Sequence, residues 1–522
     1  MKKSNILILL AFLLFISQTL PGQVIDSKQI DSLVNKAFEL NPSVGIAIAV
    51  VKDGKIIHSK GYGIKSIETN EKVDENTLFA IASNSKAFTS TALAILVDEG
   101  KLSWQDKVVD HIPEFKMYDD YVTANFSIED LLTHRSGLGL GAGDLMFFPD
   151  GSDFTIYDVA NSFQFQKPSS AFRTKYDYDN LLYIVAGEVV NRVSGLNWAD
   201  FVQTKIFNQL GMNNSVPVNA RLVKNANLAL PHSSYGDEIK QINIYEGGEL
   251  LGAAGGIYSS VSDLSKWMLL HLNGGNYGVD LSDTLFTENR QKEMWSPHTN
   301  IRFSIIPDSR TNTHFIAYGL GWYILDKKGK VIVQHTGGLP GMLSRTILVP
   351  ELNLGIVVLT NSLPGGESYY SIPETILDSY LDIEKKDWIK DFSDLAKSEG
   401  AESDSVTSAV WEIVKSNKSL PLNPNDFIGK YQDNWFGEIE ITLRNEKLWF
   451  IAKRSPKLKG QMHFYKATTF AIKWEYTDMP CDAFATFNLN EEGKAISIKM
   501  KGISPKIDFS FDFHDLDLKR VD

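Results

Sequence analysis

A serine and a lysine three residues apart hold the most reactive chemistry open to this chain. They are Ser83 and Lys86, in Leu78-Phe79-Ala80-Ile81-Ala82-Ser83-Asn84-Ser85-Lys86-Ala87-Phe88. If that apolar approach turns into a helix, the two side chains share one face. A serine hydroxyl is a poor nucleophile until a neighbour takes its proton, and a desolvated lysine is such a neighbour. Ala80, Ile81, Ala87 and Phe88 would keep water away and push the lysine pKa down. A helix N-terminus at Ser83 favours developing negative charge. The chemistry this describes is acyl transfer through an acyl-enzyme. A polar first turn on a surface helix would look the same, so other residues must decide.

Two further stretches supply partners. In Lys175-Tyr176-Asp177-Tyr178-Asp179-Asn180, just before a helix at Leu181, Tyr178 and Asn180 point to one side of an extended chain. A phenol near a cation ionises more easily and serves as a base, and the Asn180 amide would hold the lysine and orient a carbonyl. A tyrosine there would also serve plain packing. In His335-Thr336-Gly337-Gly338, after Val331-Ile332-Val333-Gln334, two glycines at a strand end let another backbone come close. A substrate would lie alongside as an added strand. The amides of Ser83 and Gly338 would then form an oxyanion hole. A strand followed by a Gly-rich turn is the plainer reading.

S-x-x-K followed by a second and a third short motif is the signature of active-site-serine β-lactamases and penicillin-binding proteins. The chain resembles that superfamily, in the branch with Tyr-x-Asn as second motif. That branch holds class C β-lactamases, DD-peptidases, D-aminopeptidases and esterases. Ser83-x-x-Lys86, Tyr178-Asp179-Asn180 and His335-Thr336-Gly337 follow the family order. Leu131-Leu132-Thr133-His134-Arg135-Ser136-Gly137-Leu138 and Ala254-Gly255-Gly256-Ile257-Tyr258 to Leu264 also look like the family. The resemblance implies Ser83 as the acylated nucleophile, with Lys86 and Tyr178 sharing the proton work. It implies that Asn180 positions Lys86 and substrate, that His335, Thr336 and Gly337 contact substrate, and that the Ser83 and Gly338 amides hold the oxyanion. It calls for no cofactor and no metal. His335 departs from the lysine most β-lactamases carry. Histidine is largely neutral near pH 7, so the permanent charge that grips a β-lactam carboxylate is missing. D-amino-acid peptidase, amidase or esterase chemistry is therefore expected over efficient β-lactam hydrolysis. The alternative is a penicillin-binding or sensor module that is acylated but turns over poorly.

The elements that must position these residues are legible in the periodicity. Apolar spacing over Ile25 to Leu40 predicts a helix, and Val44 to Val51 a strand buried on both faces. Asp53-Gly54 is a hairpin signal leading to a partner strand, Lys55 to Tyr62. Helices are expected over Ala87 to Gly100, from Ile128 to Leu132, over Leu181 to Val193, over Val261 to Leu272 with Ser262 as N-cap, and over Ile372 to Leu381. Strands are expected at Gly321 to Leu325, Val331 to His335, Arg345 to Val349 and Gly355 to Leu359. The fold class is α/β (α+β): an antiparallel sheet flanked by helices, with a helical subdomain beside it. Residues 23–383 form this β-lactamase/transpeptidase-like domain. Residues 384–425, charged and largely patternless, read as a linker with a short helix near Val406 to Val414. Residues 426–522 alternate over short spans and read as a small all-β barrel, resembling the lipocalin-like domains appended to some members. Closing over or beside the cleft is its expected role, with binding of an apolar ligand as the other possibility.

Composition narrows the setting. The chain has 522 residues, 43% hydrophobic and 22% charged, as in an ordinary soluble protein. A net charge of -12 argues against a nucleic-acid surface. Lys2-Lys3, the apolar run Ile6 to Ile16 and an exit at Pro21-Gly22 read as a signal peptide over residues 1–22. The run is short of the ~20 residues a membrane span needs. The expected location is periplasmic or extracellular, with no transmembrane span after cleavage and a small peptide, amide or ester as substrate. The single cysteine, Cys481, cannot form an internal disulfide.

Overall fold

Strand β1 (Gly45–Lys52) is apolar on both sides because both of its faces are covered. Asp53 and Gly54, both at positive φ, turn the chain into β2 (Lys55–Gly63). The remaining sheet strands come late: β3 (Thr299–Asn300), β4 (Ile316–Tyr318), β5 (Tyr323–Lys327), β6 (Lys330–Leu339), β7 (Met342–Val349) and β8 (Leu354–Thr360). Their spatial order is β2-β1-β8-β7-β6-β5-β4-β3, antiparallel throughout. The computed structural model describes residues 24–235, 238–302, 310–417 and 422–522, so the expected signal segment lies outside the described residues.

Side-chain alternation sorts the core into two layers. Ile46, Ile48, Val50, Ile347, Ile356 and Val358 face helices α1 (Ser27–Leu40) and α5 (Ser368–Tyr380), meeting Ile30, Val34, Ile372 and Ile376. Ala47, Ala49, Val51, Val357 and Leu359 face the helical subdomain. There α2 (Ser85–Asp98), α3 (Leu181–Ser194) and α4 (Val261–Leu272) pack around Phe88, Leu93, Val185 and Trp267. Helix α3 ends, as Ser194-Gly195 suggests, with Gly195 in the left-handed region.

Three local expectations are corrected and two short strands are added. Ser260, not Ser262, caps α4, because its hydroxyl accepts the Asp263 N–H. Strand β6 does not stop at His335 but runs through Gly337 and Gly338 to Leu339, held by pairing with β7. The edge strand β3 and its neighbour β4 are too short to leave a periodic signal. The 384–425 segment carries a 29-residue helix, α6 (Trp388–Ser416). Among its described residues, side chains are buried only near its two ends, at Ile389, Ser393 and Val410, which hides the helical period. Trp388 donates to Asp378 near the start, and Val410 and Trp411 meet Ala471, Ile503 and Asp482 of the C-terminal domain near the end.

That C-terminal domain is a closed barrel of eight strands. They are β9 (Gly429–Asp433), β10 (Gly437–Arg444), β11 (Lys447–Ala452), β12 (Lys459–Lys466), β13 (Thr469–Trp474), β14 (Ala483–Leu489), β15 (Ala495–Gly502) and β16 (Leu518–Arg520). Closure removes every edge. Inside, Phe427, Tyr431, Phe470 and Phe487 pack edge to face. The barrel docks through Arg454, which binds Asp153 and Asp158 and lies over Phe154, and through Lys457 on Asp150.

Phe88, fully buried, stacks on Trp267 with ring centroids 3.8 Å apart. Phe88→Ala is expected to destabilise by about 3–5 kcal/mol, read as a lowered urea midpoint with an unchanged slope.

Candidate active site

The apolar approach Phe79–Ala80 enters a tight turn over Ala82–Asn84 before α2 begins. Ala82 is held at φ 48°, a left-handed conformation that costs a non-glycine residue on the order of 1–3 kcal/mol. That turn lifts Ser83 into a cleft of about 1280 Å³. Asn84 ties it down: its amide donates to Ser344 Oγ at 2.8 Å, and Ser344 donates to the Ile81 carbonyl at 2.7 Å. Strand β6 crosses so near that a Cβ on Gly337 would lie 2.1 Å from the Ile81 carbonyl oxygen and 3.0 Å from the Ser83 nitrogen. Glycine is required there for the approach of the two backbones.

Lys86 lies one turn on, fully buried. Its Nζ donates to Ser83 Oγ at 3.1 Å, Asn180 Oδ1 at 2.6 Å and the Ala254 carbonyl at 2.8 Å. Burial pushes its pKa down to about 7, although the nearby Asp144 and Asp179 oppose the shift. When the amine is neutral, two N–H groups still serve Asn180 and Ala254, and the lone pair is left for the Ser83 proton.

Asn180 occupies the N-cap position of α3 without capping it. Asp179 takes that task, accepting the Leu182 N–H. The Asn180 amide instead bridges Lys86 and Asp144, donating to Asp144 Oδ2 at 2.7 Å. A lysine on one side and a carboxylate on the other settle which end is oxygen. Tyr178 points the same way from the extended segment before α3, with its phenol near enough to Ser83 for that hydroxyl to oppose part of the rise in its pKa. Lys86 Nζ lies 4.8 Å from the Tyr178 ring centre. Burial pushes the Tyr178 pKa well up, so Tyr178 stays a protonated phenol while Lys86 sheds its charge.

The third motif behaves differently. His335 is buried, with Nδ1 donating to the Thr336 carbonyl at 2.6 Å and Nε2 accepting from Tyr318 at 2.9 Å. Desolvation, then the charge of Lys86, push its pKa down to about 3. It is a neutral ring with both nitrogens occupied. Arg345, opposite Thr336 in register, is turned away onto Gln334 and Glu374. Beyond Gln334, β6 pairs with β7 on one side, and among the described residues no strand covers its other edge. Gly337 and Gly338 line the cleft there beside Ser83.

The structure thus brings Ser83, Lys86, Tyr178, Asn180, His335, Thr336, Gly337 and Gly338 to one cleft. Several participants are not singled out by the sequence. Asp144 opens a single 3-10 turn too short to show a period. His134 falls in the quoted Leu131 to Leu138 stretch; its ring lies tilted against Tyr178 with centroids 4.2 Å apart and accepts the Asp179 N–H. The Ala254 carbonyl falls in the quoted Ala254-Gly255-Gly256 stretch, but a backbone acceptor has no residue type to betray it. Trp474, Tyr476, Phe509 and Phe511 of the barrel form the opposite wall of the cleft.

Known proteins resemble this chain in sequence and in fold. Unguisins hydrolase ungD of Aspergillus violaceofuscus (strain CBS 115571) is 28% identical over 442 residues, 78% of this chain and 75% of that protein. The octameric penicillin-binding protein homologue from Pyrococcus abyssi superposes with a TM-score of 0.59 at 18% identity, over 95% of this chain and all (100%) of that one. A class C beta-lactamase mutant superposes with a TM-score of 0.53 at 22% identity, over 68% of this chain and 95% of that one. Residues 412–520 match a domain of unknown function (DUF3471). The Beta-lactamase family model matches residues 33–380, and this chain belongs to that family of serine hydrolases.

Proposed function

We propose that the chain is an exported serine hydrolase that opens a peptide, amide or ester through an acyl-enzyme on Ser83. One observation carries this: a buried lysine, lowered toward neutrality, sits 3.1 Å from the serine hydroxyl. In the proposed cycle Ser83 Oγ bonds to the substrate carbonyl carbon as its proton passes to Lys86 Nζ. The Ser83 and Gly338 amides hold the oxyanion. Collapse breaks the bond to the leaving amine or alkoxide, which takes the proton through Tyr178. Water then attacks the ester, and the same groups return the proton.

The substrate reading favours D-amino-acid peptides, amides or esters over β-lactams. A β-lactam carboxylate needs a fixed cation beside the third motif, and that place holds a neutral, fully bonded His335. Lys240 and Lys473 reach the cleft rim already paired with Glu238 and Asp482. The relative named for hydrolysis of unguisins supports the hydrolase class. Export rests on Lys2-Lys3 and the apolar run after them. The place of action so proposed is periplasmic or extracellular.

A fluorophosphonate should label the full-length protein and fail to label Ser83→Ala; equal labelling of both rejects Ser83 as nucleophile. Lys86→Ala and Tyr178→Phe should each lower turnover about 10²-fold or more, and near-normal rates would remove them from the proton path. Only the neutral amine accepts a proton, so the labelling rate should rise with pH through a midpoint near 7 and level off above it. A rate flat from pH 5 to 9 would exclude Lys86 as base. In a panel of nitrocefin, p-nitrophenyl esters and D-amino-acid p-nitroanilides, nitrocefin is expected to be the slowest.

A further inference from the structure

Besides walling the cleft, the barrel reaches the reactive centre from behind. Between β15 and β16 its chain makes a long excursion that brings Asp512 under the loop at residues 139–147. Asp512 is fully buried. One carboxylate oxygen accepts the Gly143 N–H at 2.9 Å and the other the Leu145 N–H at 2.8 Å. The residue between those two amides is Asp144, itself fully buried. Asp144 accepts from Asn180, and Asn180 accepts from Lys86. A single connected path therefore runs from the barrel to the Ser83 hydroxyl.

The same excursion touches the path twice more. The Ser510 side chain lies close enough to the Asp144 carboxyl to oppose part of the rise in its pKa. Phe509 packs its ring against Tyr178 at 5.8 Å, and its carbonyl lies so close to Gly141 that a Cβ there would be 2.7 Å away. Gly141 in turn donates its N–H to the Tyr178 carbonyl at 2.8 Å. Two fully buried carboxylates in contact with one loop are costly to keep unless hydrogen bonds hold them. Simple adhesion between the domains is already provided elsewhere, by Arg454 and Lys457.

We propose that Asp512 is a positioning residue for the reaction: by clamping Gly143 and Leu145 it sets Asp144 against Asn180, and through Asn180 it aims Lys86 at Ser83. The proposal rests on the reading of Ser83 as nucleophile and Lys86 as its base. It makes the barrel part of the catalytic unit and not only a wall.

The experiment compares fluorophosphonate labelling of full-length wild type, Asp512→Asn, Ser510→Ala and Arg454→Ala, with saturation curves that separate the maximal rate from the half-saturating concentration. Asp512→Asn keeps the shape but turns an N–H donor toward one of the two amides. Its maximal rate is expected to fall on the order of tenfold, the worth of one buried hydrogen bond, with half-saturation unchanged. Ser510→Ala is expected to lower the maximal rate several-fold and decides the matter if Asp512→Asn does not fold. Arg454→Ala weakens docking away from the path and is expected to lower the melting temperature while keeping the wild-type maximal rate. Wild-type maximal rates in folded Asp512→Asn and Ser510→Ala overturn the proposal, as does an equal fall in Arg454→Ala, which would assign the effect to docking alone. Labelling that persists in Ser83→Ala overturns the underlying nucleophile reading as well, and that control separates the two failures.

Discussion

The buried amine of Lys86 is the constraint on which the rest of the structure depends. A primary amine with no access to water must find three partners inside the protein, and it finds them on three different elements. Ser83 comes from the turn before α2, Asn180 from the start of α3, and Ala254 from the short turn ahead of α4. Each element must keep its register for the lysine to stay satisfied. Helix α2 is accordingly buried on all sides from Ser85 to Leu96. Its polar residues are bonded inward, as Thr89 is to the Ala253 carbonyl and Ser90 to the Lys86 carbonyl.

Tension gathers around this amine. Ala82 is held left-handed directly before Ser83, and Gly337 gives up its side chain so that β6 can pass against that turn. Asp144, Asp179 and Asp512 are all fully buried, each with its pKa pushed up by desolvation. Such features persist where the surroundings over-determine them. The two-layered core on either side of the sheet supplies that rigidity, and the filled barrel adds a second rigid body across the cleft. His335, neutral and bonded at both nitrogens, is a structural link from β6 to Tyr318, not a free charge.

Much of this was legible from spacing. The hairpin at Asp53-Gly54, the end of α3 at Gly195 and the continuous apolar β1 follow from backbone preferences and two-sided burial. Tyr178 and Asn180 share a side because an extended chain alternates. Other features were not. The strut α6 reads as a linker because, among its described residues, only those near its two ends are buried. Ser262 and Ser260 are equal as N-cap candidates until the helix start is known.

The sequence by itself determined which reactive groups exist and in what order. Ser83-x-x-Lys86, Tyr178-x-Asn180 and His335-Thr336-Gly337 are local patterns, and local geometry places each pair on one face or one side. The tertiary structure decided how those groups are charged and who holds them. Desolvation of Lys86 and His335 depends on residues hundreds of positions away, and no window of sequence contains that burial. Asp144 and Asp512, 368 positions apart with no shared motif, meet only when the barrel docks. Ser83 and Lys86 name a possible reaction; the packing around them sets the proton and the aim.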